Sequence, residues 1–183
     1  MRNANEMYQF CLDNGYGQGF NTKNSLNHFK IIEKNLAPDE DVLFAFIGLH
    51  NYISISKHDN NFAYAITTKR LLMGQKKVIG EVFQSVAFNK INDITLQTGL
   101  VYGVITIDAQ TEVFNVAVVK HQALNINSKI HDLLLDLKNV AAGGSAISQS
   151  NSGADEIRKY KTLLDDGIIT QEEFESKKKQ LLS

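Results

Sequence analysis

Between Asp41 and Val119 the chain consists almost entirely of short β-branched and aromatic runs separated by hairpin-length breaks, and that pattern limits the fold more than any other feature. The runs are Val42 to Leu49, Tyr52 to Ser56, Phe62 to Thr68, Leu71 to Gly74, Val78 to Phe83, Ile91 to Thr98, Tyr102 to Asp108 and Glu112 to Val119. Most alternate apolar with polar positions or are rich in Val, Ile, Phe and Thr, the chemistry of a pleated and half-buried surface. Breaks such as Lys57-His58-Asp59-Asn60-Asn61, Gln75-Lys76-Lys77 and Ala109-Gln110-Thr111 are too short for crossovers, so neighbouring strands run antiparallel. Seven or eight such strands, closed or nearly closed into a curved sheet, remove the exposed edges that would otherwise invite aggregation.

Helices flank this meander. Met7, Phe10 and Cys11 share one helical face before the stop signal Asn14-Gly15, and Leu26, Phe29, Ile32 and Leu36 keep a 3.6-residue period until Pro38. After the strands, Ile126, Ile130, Leu133, Leu134 and Leu137 repeat along one face, so this helix must cover apolar surface at an opening of the sheet. The expected class is α+β: an antiparallel β-barrel or curved sheet capped by a C-terminal amphipathic helix, with short N-terminal helices and a separate C-terminal helical hairpin.

The uncharged Gly, Ser, Ala and amide stretch 141–153 reads as a flexible tether whose ends sit about 20 Å apart as a random coil. Boundaries follow at 1–25 for an N-terminal extension, 26–140 for the β-rich domain, 141–153 for the linker and 154–183 for the tail. In the tail, Ile157, Tyr160, Leu163 and Leu164 share a helical face and Gly167 supplies the stop. Thr170-Gln171-Glu172-Glu173 forms a capping box, with Ile169 and Phe174 placed as a hydrophobic staple. Two helices of about a dozen residues are each marginal alone in water. Ile157, Tyr160, Leu163, Leu164, Ile168, Ile169, Phe174, Leu181 and Leu182 therefore need a partner surface, with another copy of the tail favoured over a different protein or the chain's own β-rich part.

Composition narrows the functional classes. The 183 residues carry 19 Lys and Arg against 20 Asp and Glu, a balance that argues against bulk binding of nucleic acid. The longest apolar run, Val42 to Ile47, falls far short of the roughly 20 residues that span a bilayer. One cysteine and an N-terminus without a secretory pattern fit a reducing, cytoplasmic setting.

Two resemblances sharpen these expectations. Phe62-Ala63-Tyr64-Ala65-Ile66-Thr67-Thr68-Lys69-Arg70-Leu71-Leu72 and Lys129-Ile130-His131-Asp132-Leu133-Leu134, in this order of strands and final helix, resemble a bacterial pleckstrin-homology (PH) domain of the YokE-like type from Leu26 to Asn139. The segment Ala154 to Leu182, with Leu163-Leu164-Asp165-Asp166-Gly167-Ile168-Ile169-Thr170-Gln171-Glu172-Glu173-Phe174 and Lys177-Lys178-Lys179-Gln180-Leu181-Leu182, resembles a SHOCT module. The first resemblance implies a PH-like fold, and the second implies an oligomerisation or interaction element.

Catalytic and cofactor constellations are sparse. Gly15-Tyr16-Gly17-Gln18-Gly19 lacks the preceding strand and following Gly-Lys-Ser/Thr of a phosphate loop. His28, His50, His58, His121 and His131 show no metal-ligand spacing, and Cys11 sits on an apolar helix face where packing is its role. Asp39-Glu40-Asp41 is expected to be a solvated corner. No enzyme, cofactor or metal is expected. For a ligand, Lys57, His58, Lys76 and Lys77 lie on two hairpin breaks that could form a cationic rim for an anionic lipid or phosphorylated molecule, the secondary reading beside protein interaction. An open strand edge could also accept a peptide.

Overall fold

The strands that open the sheet send large side chains to one side and small ones to the other, and each side acquires its own core. In the computed structural model, which describes residues 1–17, 22–141, 171, 174 and 175, helices α1 (Ala4–Asn14) and α2 (Thr22–Glu33) precede strands β1 (Val42–Leu49), β2 (Asn61–Thr67), β3 (Arg70–Lys76) and β4 (Glu81–Ala87). A short 3-10 turn at Phe88–Lys90 leads to β5 (Ile91–Thr98), β6 (Tyr102–Ala109), β7 (Val113–Val119) and helix α3 (Lys120–Ala141). The chain divides into two units, Met1–Ala142 and Gly143–Ser183.

The seven strands form one curved antiparallel sheet in the order β4-β3-β2-β1-β7-β6-β5. Phe44, Phe46, Phe62, Tyr64, Ile66, Leu71 and Met73 point to its inner side and meet Ile105, Ile107, Phe114 and Val116 from the second half. α3 closes this core with Ala123, Ile126, Ile130 and Leu134. On the outer side Ala45, Ala63, Ala65 and Leu72 pack under Met7, Cys11, Phe29 and Ile32 of the two N-terminal helices. The N-terminal helices thus cover a sheet face that would otherwise be wet. Burial pushes the Cys11 thiol up, in keeping with its packing role.

Close approach of backbones needs small residues. A Cβ on Gly74 would lie 2.9 Å from the His28 carbonyl oxygen and 3.1 Å from Ile32, so β3 accepts α2 only through a residue without a side chain. At the seam between the two halves, Leu49 pairs with Ala117, and a Cβ on Gly48 would lie 2.5 Å from Val116. A bulge at Leu43, one extra residue between the Val42 and Phe44 pairings, lets Val42 join the outer core while Phe44 joins the inner one.

Several expectations change. Tyr52 to Ser56 forms turns with one isolated bridge between Ser54 and Lys57 instead of a strand, because Ile53 and Ile55 find no surface to bury against and stay exposed. The β3–β4 turn lies at 77–80, not at Gln75-Lys76-Lys77. Gln75 and Lys76 complete β3, and Gly80 takes the left-handed backbone (φ 81°) that ends the turn, so β4 starts at Glu81 rather than Val78.

The acidic corner also departs from expectation. Glu40 is fully buried. Its carboxylate accepts from Arg70 Nε (3.0 Å) and Nη2 (2.9 Å), from Thr67 Oγ1 (2.7 Å) and from the Ala37 amide (3.0 Å). Thr67 Oγ1 also accepts the amides of Lys69 (3.0 Å) and Arg70 (2.9 Å), so the Thr-x-x-Arg segment is a turn locked onto a buried carboxylate. Burial alone would push the Glu40 carboxyl up, but the Arg70, Ala37 and Thr67 hydrogen bonds and the guanidinium charge hold it down at about 2.

Two outcomes are expected. Gly74→Val should lower stability by about 1–3 kcal/mol in urea unfolding, with faster amide exchange along α2. Because Glu40 has a folded pKa below its ordinary 4.5, its contribution is full above pH 4.5 and disappears as pH falls to about 2. Glu40→Gln should lower stability at neutral pH by about 3 kcal/mol, by stranding Arg70, and should flatten that acid limb of the urea midpoint.

Candidate functional site

The 50–60 loop is shaped by residues that tolerate left-handed backbone. Asn51 (φ 50°) and Asn60 (φ 66°) flank it, and short polar side chains reach that region at low cost. The His50 amide donates to Asn60 O (3.0 Å) and the Asp59 amide to His50 O (2.7 Å), closing the base of the loop. Gln75, almost wholly buried at the end of β3, donates through Nε2 to Asp59 O (2.7 Å) and Asn61 O (3.2 Å), pinning the loop to the next hairpin.

A cleft of about 700 Å³ lies beside this junction. The start of α2 contributes Asn24 and His28, the loop contributes His50, Asn51, His58 and Asp59, and the β3–β4 hairpin contributes Gln75, Lys76, Lys77 and Val78. Three histidines therefore share one cavity, but each is already engaged. His28 Nδ1 accepts the Lys76 amide (2.8 Å), which requires that nitrogen to be unprotonated, and burial lowers its pKa. His50 stacks on Phe62 with ring centroids 4.2 Å apart and meets the Tyr64 hydroxyl through Nδ1 at 2.7 Å. Its pKa is lowered by burial and raised in part by the Asp59 charge. His58 Nε2 lies 3.1 Å from Ile55 O and Nδ1 accepts the Asn60 amide (3.0 Å), so both ring nitrogens are engaged in holding the turn.

Asp59 accepts from Asn51 Nδ2 (2.8 Å), and among the described residues no cleft histidine hydrogen-bonds a carboxylate. Nor do His, Cys, Asp and Glu residues there form a group of three able to hold a metal ion. What lines the cleft is amide side chains, Lys76 and Lys77, and the apolar side chains of Phe62, Val78 and Val82. Gln84 also lines the cleft, and its Oε1 is buried without a hydrogen-bond partner among the described residues.

Of the residues expected at a cationic rim, the structure brings His58, Lys76 and Lys77 to one cleft. Lys57 stands outside its lining, at the small bridge with Ser54. Sequence reasoning missed His28, His50, Gln75 and Gln84 as cleft residues. His28 and Lys76 are 48 positions apart and meet only because α2 packs on β3, a contact for which the sole sequence signal is the small residue Gly74. In the tail, Phe174 is buried and helical, and Gln171 and Glu175 are helical. Ile157, Tyr160, Leu163, Leu164, Ile168, Ile169, Leu181 and Leu182 lie outside the described residues.

Comparison with known proteins agrees with this architecture. Residues 155–182 match the SHOCT family, a short C-terminal domain, and residues 36–132 match the bacterial PH domain family. No curated protein matches the chain. Among solved structures, a DUF1696 family protein with a pleckstrin-homology domain from Shewanella loihica PV-4 is similar over 55% of this chain and 87% of that chain, at 14% identity and a TM-score of 0.36. The bacterial PH match takes in more than half of the sequence and contains all seven strands and the first part of α3. The chain therefore belongs to the bacterial PH domain family and carries a SHOCT domain behind its PH-like head.

Proposed function

We propose that this is a non-enzymatic, cytoplasmic interaction protein, in which the PH-like head binds a partner and the SHOCT tail assembles copies of the chain or recruits another protein. The observation that carries the reading is the pairing itself: a head with a polar recognition cleft is joined to a tail whose apolar positions outnumber what two short helices can bury between themselves. In this reading residues 141–153 are a tether, so the tail at 154–183 is free to choose a surface on another molecule. Ile157, Tyr160, Leu163, Leu164, Ile168, Ile169, Leu181 and Leu182 make that contact, Phe174 being already buried within the single chain, with self-association the preferred outcome.

A second reading is favoured by one feature of the head. Lys76 and Lys77 stand beside His58 at a cleft lined by amide side chains, and their two ammonium groups suit an anionic lipid head group or a phosphorylated small ligand. The two readings are compatible, since one concerns the head and the other the tail.

The assembly half is tested on the full-length chain. Wild type should scatter light as a multiple of the single-chain mass, and Ile157→Glu combined with Leu164→Glu should return it to one chain while the thermal transition of the head stays in place. Equal masses for wild type and variant would sink the assembly half.

A further inference from the structure

His28 holds α2 to the sheet through a bond that exists only while its ring is neutral. The side chain is buried at 5% exposure, and its Nδ1 accepts the Lys76 backbone amide at 2.8 Å. A ring nitrogen that accepts carries a lone pair, so the imidazole proton sits on Nε2, and a second proton would set one donor against another. The backbone is committed at the same place, since the His28 carbonyl oxygen leaves no room for a Cβ on Gly74. The two ends of α2 are held by different chemistry. Past its C-terminal end, Arg70 bonds both the Asn35 carbonyl and the Glu40 carboxylate, and Lys34 pairs with Glu81. The Glu40 carboxyl, held down at about 2, keeps that corner charged far into acid. The apolar anchors Phe29 and Ile32 also follow His28 in the helix. Before it, Asn24 is exposed, Leu26 and Asn27 are half-buried, and only Ser25 is buried.

The charged groups on the elements packed around the ring are committed elsewhere. On α1, Glu6 accepts from Asn3 and the Arg2 amide, and Asp13 accepts from Gln9. On α2 itself, Glu33 accepts the Ala4 amide and Lys30 bonds Asn27. β2 carries one titratable side chain, Tyr64, bonded to His50. β4 carries Glu81, engaged with Lys34, and the β3–β4 hairpin adds Lys76 and Lys77. Across the cleft stand His50, His58 and Asp59, the last accepting from Asn51. Among the described residues no carboxylate bonds the His28 ring, and burial lowers its pKa.

We propose that His28 is an acid-sensitive clasp: protonation of its ring frees residues 22–28, the first two turns of α2, from the β3–β4 hairpin, and the cleft loses the wall that Asn24 and His28 supply. The helix stays attached from Phe29 onward, so one end opens while the Arg70–Glu40 corner keeps the other in place. The sign follows from the lowered pKa. The bond contributes fully above the ring's ordinary 6.5 and is lost as pH falls through the lower value of the docked state. While the docked ring remains neutral, the open population rises about tenfold one pH unit below 6.5 and about a hundredfold two units below it. The clasp concerns the shape of the head and operates whether or not the cleft takes an anion.

The test follows amide exchange and the histidine ring signals of the full-length protein by NMR, from neutrality to about two units below 6.5. In wild type the His28 ring should titrate with a midpoint below 6.5, and the protection of the Lys76 amide, corrected for intrinsic exchange, should fall about tenfold per unit over that range. The amides of Leu26 and Asn27 should follow it. The Arg70 amide, bonded to Thr67 Oγ1, should keep its protection. His28→Asn places a side-chain oxygen where Nδ1 stood and takes up no proton, so it should keep the Lys76 amide protected and flatten its pH dependence. A His28 ring that titrates while Lys76 stays protected overturns the proposal. The same pH dependence in His28→Asn also overturns it, assigning the effect to another group such as His50. Joint loss of Lys76 and Arg70 protection overturns it as well, because the whole head is then unfolding. Should the asparagine variant fail to fold, wild type decides alone: a shared midpoint for the His28 ring and the Lys76 amide with a steady Arg70 amide supports the clasp, and any other pattern removes it.

Discussion

Ala45, Ala63, Ala65 and Gly74 make a shallow strip on the outer face of the first strands, and the rest of the head depends on what that strip admits. A sheet that already buries Phe44, Phe46, Phe62 and Tyr64 on its inner side has no use for a second layer of large residues. Small ones let α2 approach until its backbone at His28 leaves no room for a Cβ on β3. That approach buries Phe29 and Ile32 completely, at roughly 1.5–3 kcal/mol for each such side chain. It also places His28 against the end of β3, and the cleft is a consequence of that contact. One wall of the cleft is therefore supplied by α2, which lies outside the residues that match the PH family, 36–132, while the rest of its lining lies within them.

The same helices explain the corner at Glu40. Once α2 lies on the sheet, the chain must leave it and enter β1 within a few residues, and Arg70 reaches the Asn35 carbonyl (3.0 Å) and the Glu40 carboxylate together. A buried ion pair of this kind stabilises little against an apolar replacement, but removing one member strands the other. Its value here is positional: it holds the α2–β1 connection against the β2–β3 turn and so fixes the level at which α2 sits.

What the sequence made legible follows from local period. The strands from Val42, Phe62, Ile91 and Tyr102, the α3 face at Ile126, Ile130 and Leu134, and the stop at Gly15 could be read because each answers to its own neighbours. Tyr52 to Ser56 misled because alternation reports a strand only when one side is buried, and neither isoleucine there has a surface to meet. Glu40 looked like one of three solvated acids because its partners Thr67 and Arg70 lie 27 and 30 residues away. The cleft was half legible: hairpin logic brings His58 to the same cleft as Lys76 and Lys77, though not Lys57, but His28, His50 and Gln84 arrive through packing between elements, which spacing does not encode.

The hydrogen bonds of the cleft decide which of its groups can carry charge to a ligand. Lys76 donates its backbone amide to His28, so protonating that imidazole would break the bond that joins α2 to the hairpin, and burial opposes it too. Burial likewise favours the neutral form of His50, against a smaller opposing pull from Asp59. Two of the three rings are thereby committed to architecture, and the positive potential at the mouth comes from the lysine side chains, which point away from those bonds into water. Recognition by solvated ammonium groups depends on ionic strength before it depends on pH, and it lacks the fixed fork that arginine would offer a phosphate. The cleft thus keeps its hydrogen-bonded imidazoles inside as architecture and its ammonium groups outside, where salt screens them most.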